Sequence, residues 1–209
     1  MLKTLRLLIP GVIIVLAVLP IIYGASGLGT VIQGNETFLW VVVLAAGGAY
    51  YIFDLRGKFM RASVWAINDR IISTLLEPFD GHPVIGPVKA KLAAGRKVMN
   101  IFYYLVDNDK SLSERAKSVY LNGLLLSTLP DVRAITIIFM IVYPIAFFLT
   151  NNVYLWVFFG VAVILHLAAI PMMQEVTRKH VQLGEEQTEF ILQFKRDELE
   201  NRLIEAAQR

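Results

Sequence analysis

The chain has 209 residues, 56% of them hydrophobic, with a formal net charge of +3 and a mean hydropathy of +0.58, against the roughly 45–50% apolar content of soluble domains. These values exclude an ordinary soluble domain and predict an all-α polytopic membrane protein. Cys is absent, which removes disulfides, thiolate zinc sites and cysteine nucleophiles.

Leu7 to Gly24 is uncharged and apolar for about the length that crosses a hydrocarbon core of roughly 30 Å. Lys3 and Arg6 before it, and the small residues Gly24 to Gly27 after it, also suit a secretory signal; we read a retained span. Phe38 to Phe53 predicts a second. Its patch Ala45-Ala46-Gly47-Gly48-Ala49 lets another backbone approach closely, which marks Gly47 and Gly48 as candidate packing or oligomer contacts.

Residues 55–133 then predict a helical cytoplasmic subdomain. Arg61 to Glu77 places Val64, Trp65, Ile67, Ile71, Ile72, Leu75 and Leu76 on one half of a helical wheel, with Pro78 as its stop. This helix is expected to continue from the second span through Asp54 to Met60. Phe79 to Gly86 reads as a turn-rich corner, and Pro87 suits the first turn of a helix running to Val106. Ser111 and Glu114 match the capping box, so a helix from Ser111 to about Ser127 is expected. Thr128-Leu129-Pro130-Asp131 repeats the start signals and predicts a fresh helix at that point.

Ala134 to Thr150 and Tyr154 to Met173 predict the third and fourth spans. Only Asn151, Asn152 and Val153 separate them, which requires an antiparallel hairpin. Gln174 to Arg209 predicts a C-terminal cytoplasmic helix with opposite charges four apart, Arg196 with Glu200 and Glu198 with Arg202. Its apolar residues form two stripes: Leu183, Phe190 and Phe194 on one face, Leu192, Leu199, Leu203 and Ala206 on nearly the opposite one. One stripe is expected to dock on the chain's own helices and the other on a partner. Phe190, Phe194, Leu199 and Leu203 are thus the candidate contacts. The chain divides into transmembrane hairpins over 1–54 and 134–173, with cytoplasmic segments over 55–133 and 174–209.

All 20 Lys and Arg residues fall before the first span, between the second and third, or after the fourth. The positive-inside rule then puts both termini and the central segment in the cytoplasm, in a cell inner membrane. The basic residues suit anionic headgroups, and direct contact with nucleic acid is not expected.

Candidate chemistry is sparse. Asp107, Asn108, Asp109 and Ser111 offer oxygen ligands, but a calcium loop needs Gly at its sixth position and Glu at its twelfth. Counted from Asp107, those positions hold Leu112 and Ser118. No metal is therefore expected, and Asp107 and Asp109 mark a corner where partner binding would be relayed. His166 is the one imidazole within a span, where an ionisable group is functional by default. Without a charged companion in any predicted span it reads as a gate or an interhelical hydrogen bond to Thr136 or Tyr143. Asp80 and His82 sit in a Gly-Pro turn, with no phosphate loop or nucleophile elbow anywhere. No catalytic residue or cofactor is expected.

The expected function is a non-enzymatic multi-pass membrane subunit that forms a homo-oligomer and recruits a cytosolic protein, as a scaffold or effector. Membrane effectors of bacterial antiviral defence systems share this general plan, a likeness of architecture alone. A homo-oligomeric pore or small transporter is the first alternative, with Gln33, Glu36, Asn151 and Asn152 near its outer mouth. A membrane-surface enzyme acting on lipids is the second.

Overall fold

The computed structural model describes residues 2–23, 36–94 and 96–208, and among them all regular secondary structure is helical. Gln33 and the small residues Gly24 to Gly27 lie outside the described residues. The helices are α1 (Leu2–Tyr23), α2 (Glu36–Ile52), α3 (Leu55–Leu76), α4 (Lys89–Ala94), α5 (Lys97–Asn108), α6 (Lys110–Thr150), α7 (Tyr154–Phe194) and α8 (Arg196–Gln208).

Several expected features of the helix pattern are corrected: the helix expected from Pro87 to Val106 is two, α4 and α5, and the expected C-terminal helix is the end of α7 followed by α8. The second span does not run on into α3: Asp54 adopts φ 45°, a left-handed conformation that Asp tolerates better than most residues, and the two helices bend by 59° there. A Cβ on Gly57 would lie 2.6 Å from an Asp54 carboxylate oxygen, so a larger residue there would make the Asp54 side chain shift. Conversely, no helix starts at Thr128. The 41-residue α6 passes through Pro130 and Pro144 unbroken. The Ser127 and Thr128 hydroxyls donate back to the Leu124 carbonyl at 2.8 and 2.9 Å instead of capping a new helix. Pro is tolerated inside apolar helices when neighbouring groups re-satisfy the backbone.

Two helices are long and apolar enough to cross a membrane, Val119–Thr150 and Tyr154–Phe194, each containing an 18-residue stretch of mean hydropathy 2.2. The bent pair Leu39–Ile52 and Leu55–Phe79 makes a third if counted as one span, while the apolar part of α1, Leu8–Ile22, is shorter. Only 33% and 17% of the two long apolar windows are buried within the chain. Phe148 and Leu149 are among the large apolar side chains left outside, a surface suited to lipid and costly in water. At the α6–α7 turn, Asn151 takes φ 54° and Asn152 Oδ1 accepts the Tyr154 N–H at 3.1 Å, so one Asn ends a helix and the next starts another.

The chain forms two compact units. The first comprises residues 1–61 and 124–175. Its core gathers Tyr50, Ile135, Phe139, Tyr143, Leu155 and Ala162, with Ile13, Ala17 and Val18 of α1 packed against it. The second comprises residues 62–123 and 176–209, with Leu75, Leu76, Ile85, Leu92, Val98, Ile191, Leu199 and Leu203 among its fully buried side chains. Ile67, Ile71, Leu75 and Leu76 form the buried stripe of α3. Trp65, expected on that stripe, is exposed.

Candidate functional site

In the second unit, the two stripes of the tail have separate fates. Leu199 and Leu203 are 0% exposed, so they belong to the chain's own core and cannot contact a partner. The helix that carries them is pinned from several sides. Lys97 Nζ donates to the Ala206 carbonyl at 3.0 Å, Arg202 stacks 3.5 Å over the Tyr104 ring, and Arg196 lies over Phe79. Of the two expected charge pairs, Arg202 with Glu198 forms, at 3.5 Å. Glu200 instead meets His82 Nε2 at 3.3 Å.

That contact explains the Phe79 to Gly86 corner. His82 Nδ1 accepts the backbone N–H groups of Val84 and Ile85, both at 3.2 Å, which leaves the ring proton on Nε2, facing Glu200. Asp80 pairs with Lys89. The imidazole and the nearby carboxylate thus build a turn and tie it to α8.

The other stripe is presented differently. Phe194 is 60% exposed, and its ring packs 4.8 Å from that of Phe190 at an interplanar angle of 45°. An aromatic pair fixed on a helix end is the kind of rigid, low-entropy anchor that protein interfaces favour.

The corner at residues 107–111 is corrected in detail. Asp109, not Ser111, caps α6: its Oδ1 accepts the N–H groups of Ser111 at 2.9 Å and Leu112 at 3.1 Å, satisfying two donors that the helix start leaves over. Its Oδ2 lies 3.3 Å from Lys195 Nζ. The Leu112 amide, with Lys195 and the Ser111 amide, holds the Asp109 carboxyl below the usual carboxylate range despite some desolvation. Asp107, the other half of the expected relay corner, borders a small cavity of about 80 Å³ that also involves His180 and Gln187.

Asn122, singled out in sequence only as a poor helix former, is a buried crosslink. Its Nδ2 donates to the Val176 carbonyl at 3.0 Å and lies 3.1 Å from His180 Nδ1.

In the first unit the small-residue patch is divided. A Cβ on Gly11 would fall 2.1 Å from the Val43 carbonyl oxygen and 3.2 Å from the Gly47 nitrogen, so Gly11 and Gly47 let α1 and α2 touch backbone to backbone. Gly47 is therefore an internal contact, whereas Gly48 meets nothing within 4 Å.

His166 Nδ1 lies 3.4 Å from Thr136 Oγ1. That hydroxyl donates to the Val132 and Arg133 carbonyls at 2.7 and 3.0 Å, and Tyr143 donates to the Ala17 carbonyl at 2.9 Å.

The polar centre of this unit lies elsewhere. Arg56 donates from Nε to Asp131 Oδ1 and from Nη2 to Oδ2, both at 2.7 Å, and Tyr50 donates its hydroxyl to Oδ1 at 3.0 Å. The Asp131 and Arg56 side chains are 2% and 14% exposed. Asp131 lies in α6 three residues ahead of Ala134, where the third span is expected to begin. A planar guanidinium gripping a carboxylate through two bonds is the strong form of the ion pair. It fixes α3 to α6 just beyond the Asp54 corner.

The arrangement as a whole offers structural ion pairs, a capped corner and an exposed aromatic pair. Compared with protein-family models, curated proteins and solved structures, the chain matches none.

Proposed function

We propose that the chain is a non-enzymatic subunit of a cell inner membrane, with four transmembrane helices and both termini in the cytoplasm. It forms a homo-oligomer and recruits a cytosolic protein through the face that carries Phe190 and Phe194. It serves as a scaffold or an effector, on the plan of the membrane components of bacterial antiviral defence complexes. The observation that carries this reading is the split of the tail's stripes: one is consumed by the chain's own core, while Phe194 stays 60% exposed beside Phe190. The polar clusters support it too, since each reacting-looking group is bound up with structure: Asp109 in a helix cap, His82 in a turn, Asp131 in an ion pair.

The absence of Cys makes the topology directly measurable. Single Cys residues placed at Asn152 and at Gln208 are labelled with a membrane-impermeant maleimide in intact cells and again after lysis. Labelling at 152 in intact cells, with 208 reactive only after lysis, is expected. Labelling of 208 from outside overturns the orientation. Oligomer size on a native gel is read alongside; a monomer at every detergent concentration overturns the oligomer.

A further inference from the structure

Asn122 of α6 and His180 of α7 meet in the second unit through a contact that only one protonation state of the ring allows. Asn122 is 9% exposed, and its Nδ2 has two partners one helical turn apart on α7, the Val176 carbonyl at 3.0 Å and His180 Nδ1 at 3.1 Å. A carbonyl oxygen only accepts, so the amide must turn its NH2 end toward α7. The same NH2 then faces Nδ1, which must accept as well, and the ring carries its proton on Nε2. Both amide hydrogens are spent, and the imidazole has to be neutral. The ring edge sits beside Gly123, where a Cβ would stand 3.7 Å from Cε1.

A proton on Nδ1 turns that acceptor into a donor. Two N–H groups then oppose each other across 3.1 Å, and turning the amide over to offer Oδ1 sets that oxygen against the Val176 carbonyl. Either way the crosslink loses a bond. The surroundings give a charged ring little support. His180 lies beyond Met173, where the fourth span is expected to end, on the wall of the cavity of about 80 Å³. To that wall α3 contributes Ile67 and Ile71, α6 contributes Tyr120, and α5 contributes Tyr103 and Asp107. The two phenols are neutral below about pH 10, and Asp107 is exposed to solvent, which screens its charge. On α7 itself the positions three and four away, Val176, Thr177, Leu183 and Gly184, carry no charge. Burial accordingly holds the ring below the ordinary imidazole value. The folded value lies under the unfolded one of about 6.5, so the contact is complete above that pH and is lost as pH falls through the folded value.

We propose that the Asn122–His180 contact is an acid-sensitive latch between α6 and α7, in which protonation of His180 at Nδ1 releases Asn122 and lets the two helices part at that level. The bond to Val176 and the bond to the ring share one amide, so a single proton undoes a link between two helices.

The chain has three His, so 15N-histidine labelling of the full chain in detergent micelles gives an imidazole spectrum that can be assigned, the His180 signals being those lost in His180→Gln. At neutral pH His180 should show a proton on Nε2 and a bare Nδ1, and its titration gives the midpoint. Hydrogen exchange followed by mass spectrometry, corrected for the intrinsic rate, is then compared on the two sides of that midpoint. Residues 119–126 and 174–184 should exchange about three- to tenfold faster on the acid side, the change that loss of one neutral hydrogen bond supplies. His180→Gln keeps an oxygen acceptor for Asn122 at every pH and should abolish this acid response. Asn122→Asp places a carboxylate against Nδ1 and should raise the His180 midpoint by about 1–3 pH units. A proton on Nδ1 at neutral pH, a ring still neutral at about pH 4, or an acid response that persists in His180→Gln overturns the latch. A midpoint that Asn122→Asp leaves in place overturns it too.

Discussion

The Arg56–Asp131 pair gives the sharpest prediction. Asp131→Ala removes both 2.7 Å bonds from Arg56 and the 3.0 Å bond from Tyr50. It takes from a guanidinium that is only 14% exposed the carboxylate that grips it through two bonds. Removing one partner of a buried pair costs about 3–5 kcal/mol, because the survivor stays desolvated and uncompensated. Tyr50→Phe takes away one hydroxyl bond to a carboxylate and should cost about 1.5–3 kcal/mol. The double variant Arg56→Met with Asp131→Leu removes both charges while filling the space. Such exchanges range from neutral to about 4 kcal/mol stabilising, so it should be far less damaged than Asp131→Ala. Unfolding free energies come from titration with sodium dodecyl sulfate in mixed micelles, followed by circular dichroism. If Asp131→Ala loses less than about 1 kcal/mol, or the double variant is as unstable as the single, the buried-pair reasoning is wrong.

Other consequences are smaller or more local. Leu199→Ala truncates a side chain that is 0% exposed and should cost about 2–5 kcal/mol, with residues 196–208 becoming the first site of limited proteolysis. Asp109→Asn keeps an oxygen for the cap and loses the attraction to Lys195; Asp109→Ala loses both, and hydrogen exchange at Ser111 and Leu112 should accelerate in that order of severity. Because the folded Asp109 carboxyl sits below its unfolded value, its contribution is present above about pH 4 and declines as pH falls through the folded value. Exchange protection of that turn should hold from neutrality to mildly acid pH and fall only below it, and Asp109→Asn should remove this acid dependence. Gly11→Ala drives a Cβ to 2.1 Å from the Val43 carbonyl oxygen, a backbone atom that cannot swing aside. About 1–3 kcal/mol of destabilisation, with loss of protection in both α1 and α2, is the expected reading.

Sequence patterns worked where they reported hydrophobicity over long distances. The Ala134 to Thr150 and Tyr154 to Met173 runs are apolar parts of α6 and α7, and the Asn151-Asn152 turn lies between them. Local signals that serve two purposes did worse. Thr128-Leu129-Pro130-Asp131 has the composition of a helix start, yet the same Asp also suits a buried partner for an Arg 75 residues away. No window along the chain shows that pairing. Ser111 resembled a cap because Glu114 follows at the proper spacing, but Asp109, two residues earlier, accepts the same class of amides and adds an ion pair with Lys195. The two stripes of the tail were visible as a helical pattern. Which of them lies inside depended on Arg202, Lys97 and Tyr104, whose distant contacts periodicity does not encode. Gly11 gave no signal, since its neighbours Val43 and Gly47 lie in another helix.

Recruitment through the Phe190–Phe194 face is tested most directly by quantitative mass spectrometry of what copurifies with the tagged full chain in mild detergent. The comparison is the unaltered chain against Phe194→Asp. Phe194 is 60% exposed, so the substitution alters the face and spares Leu199 and Leu203, which deleting the tail would not. The account predicts one cytosolic protein held at fixed stoichiometry by the unaltered chain and lost from Phe194→Asp, while membrane insertion and oligomer size stay the same. An identical set of bound proteins in both samples would contradict it.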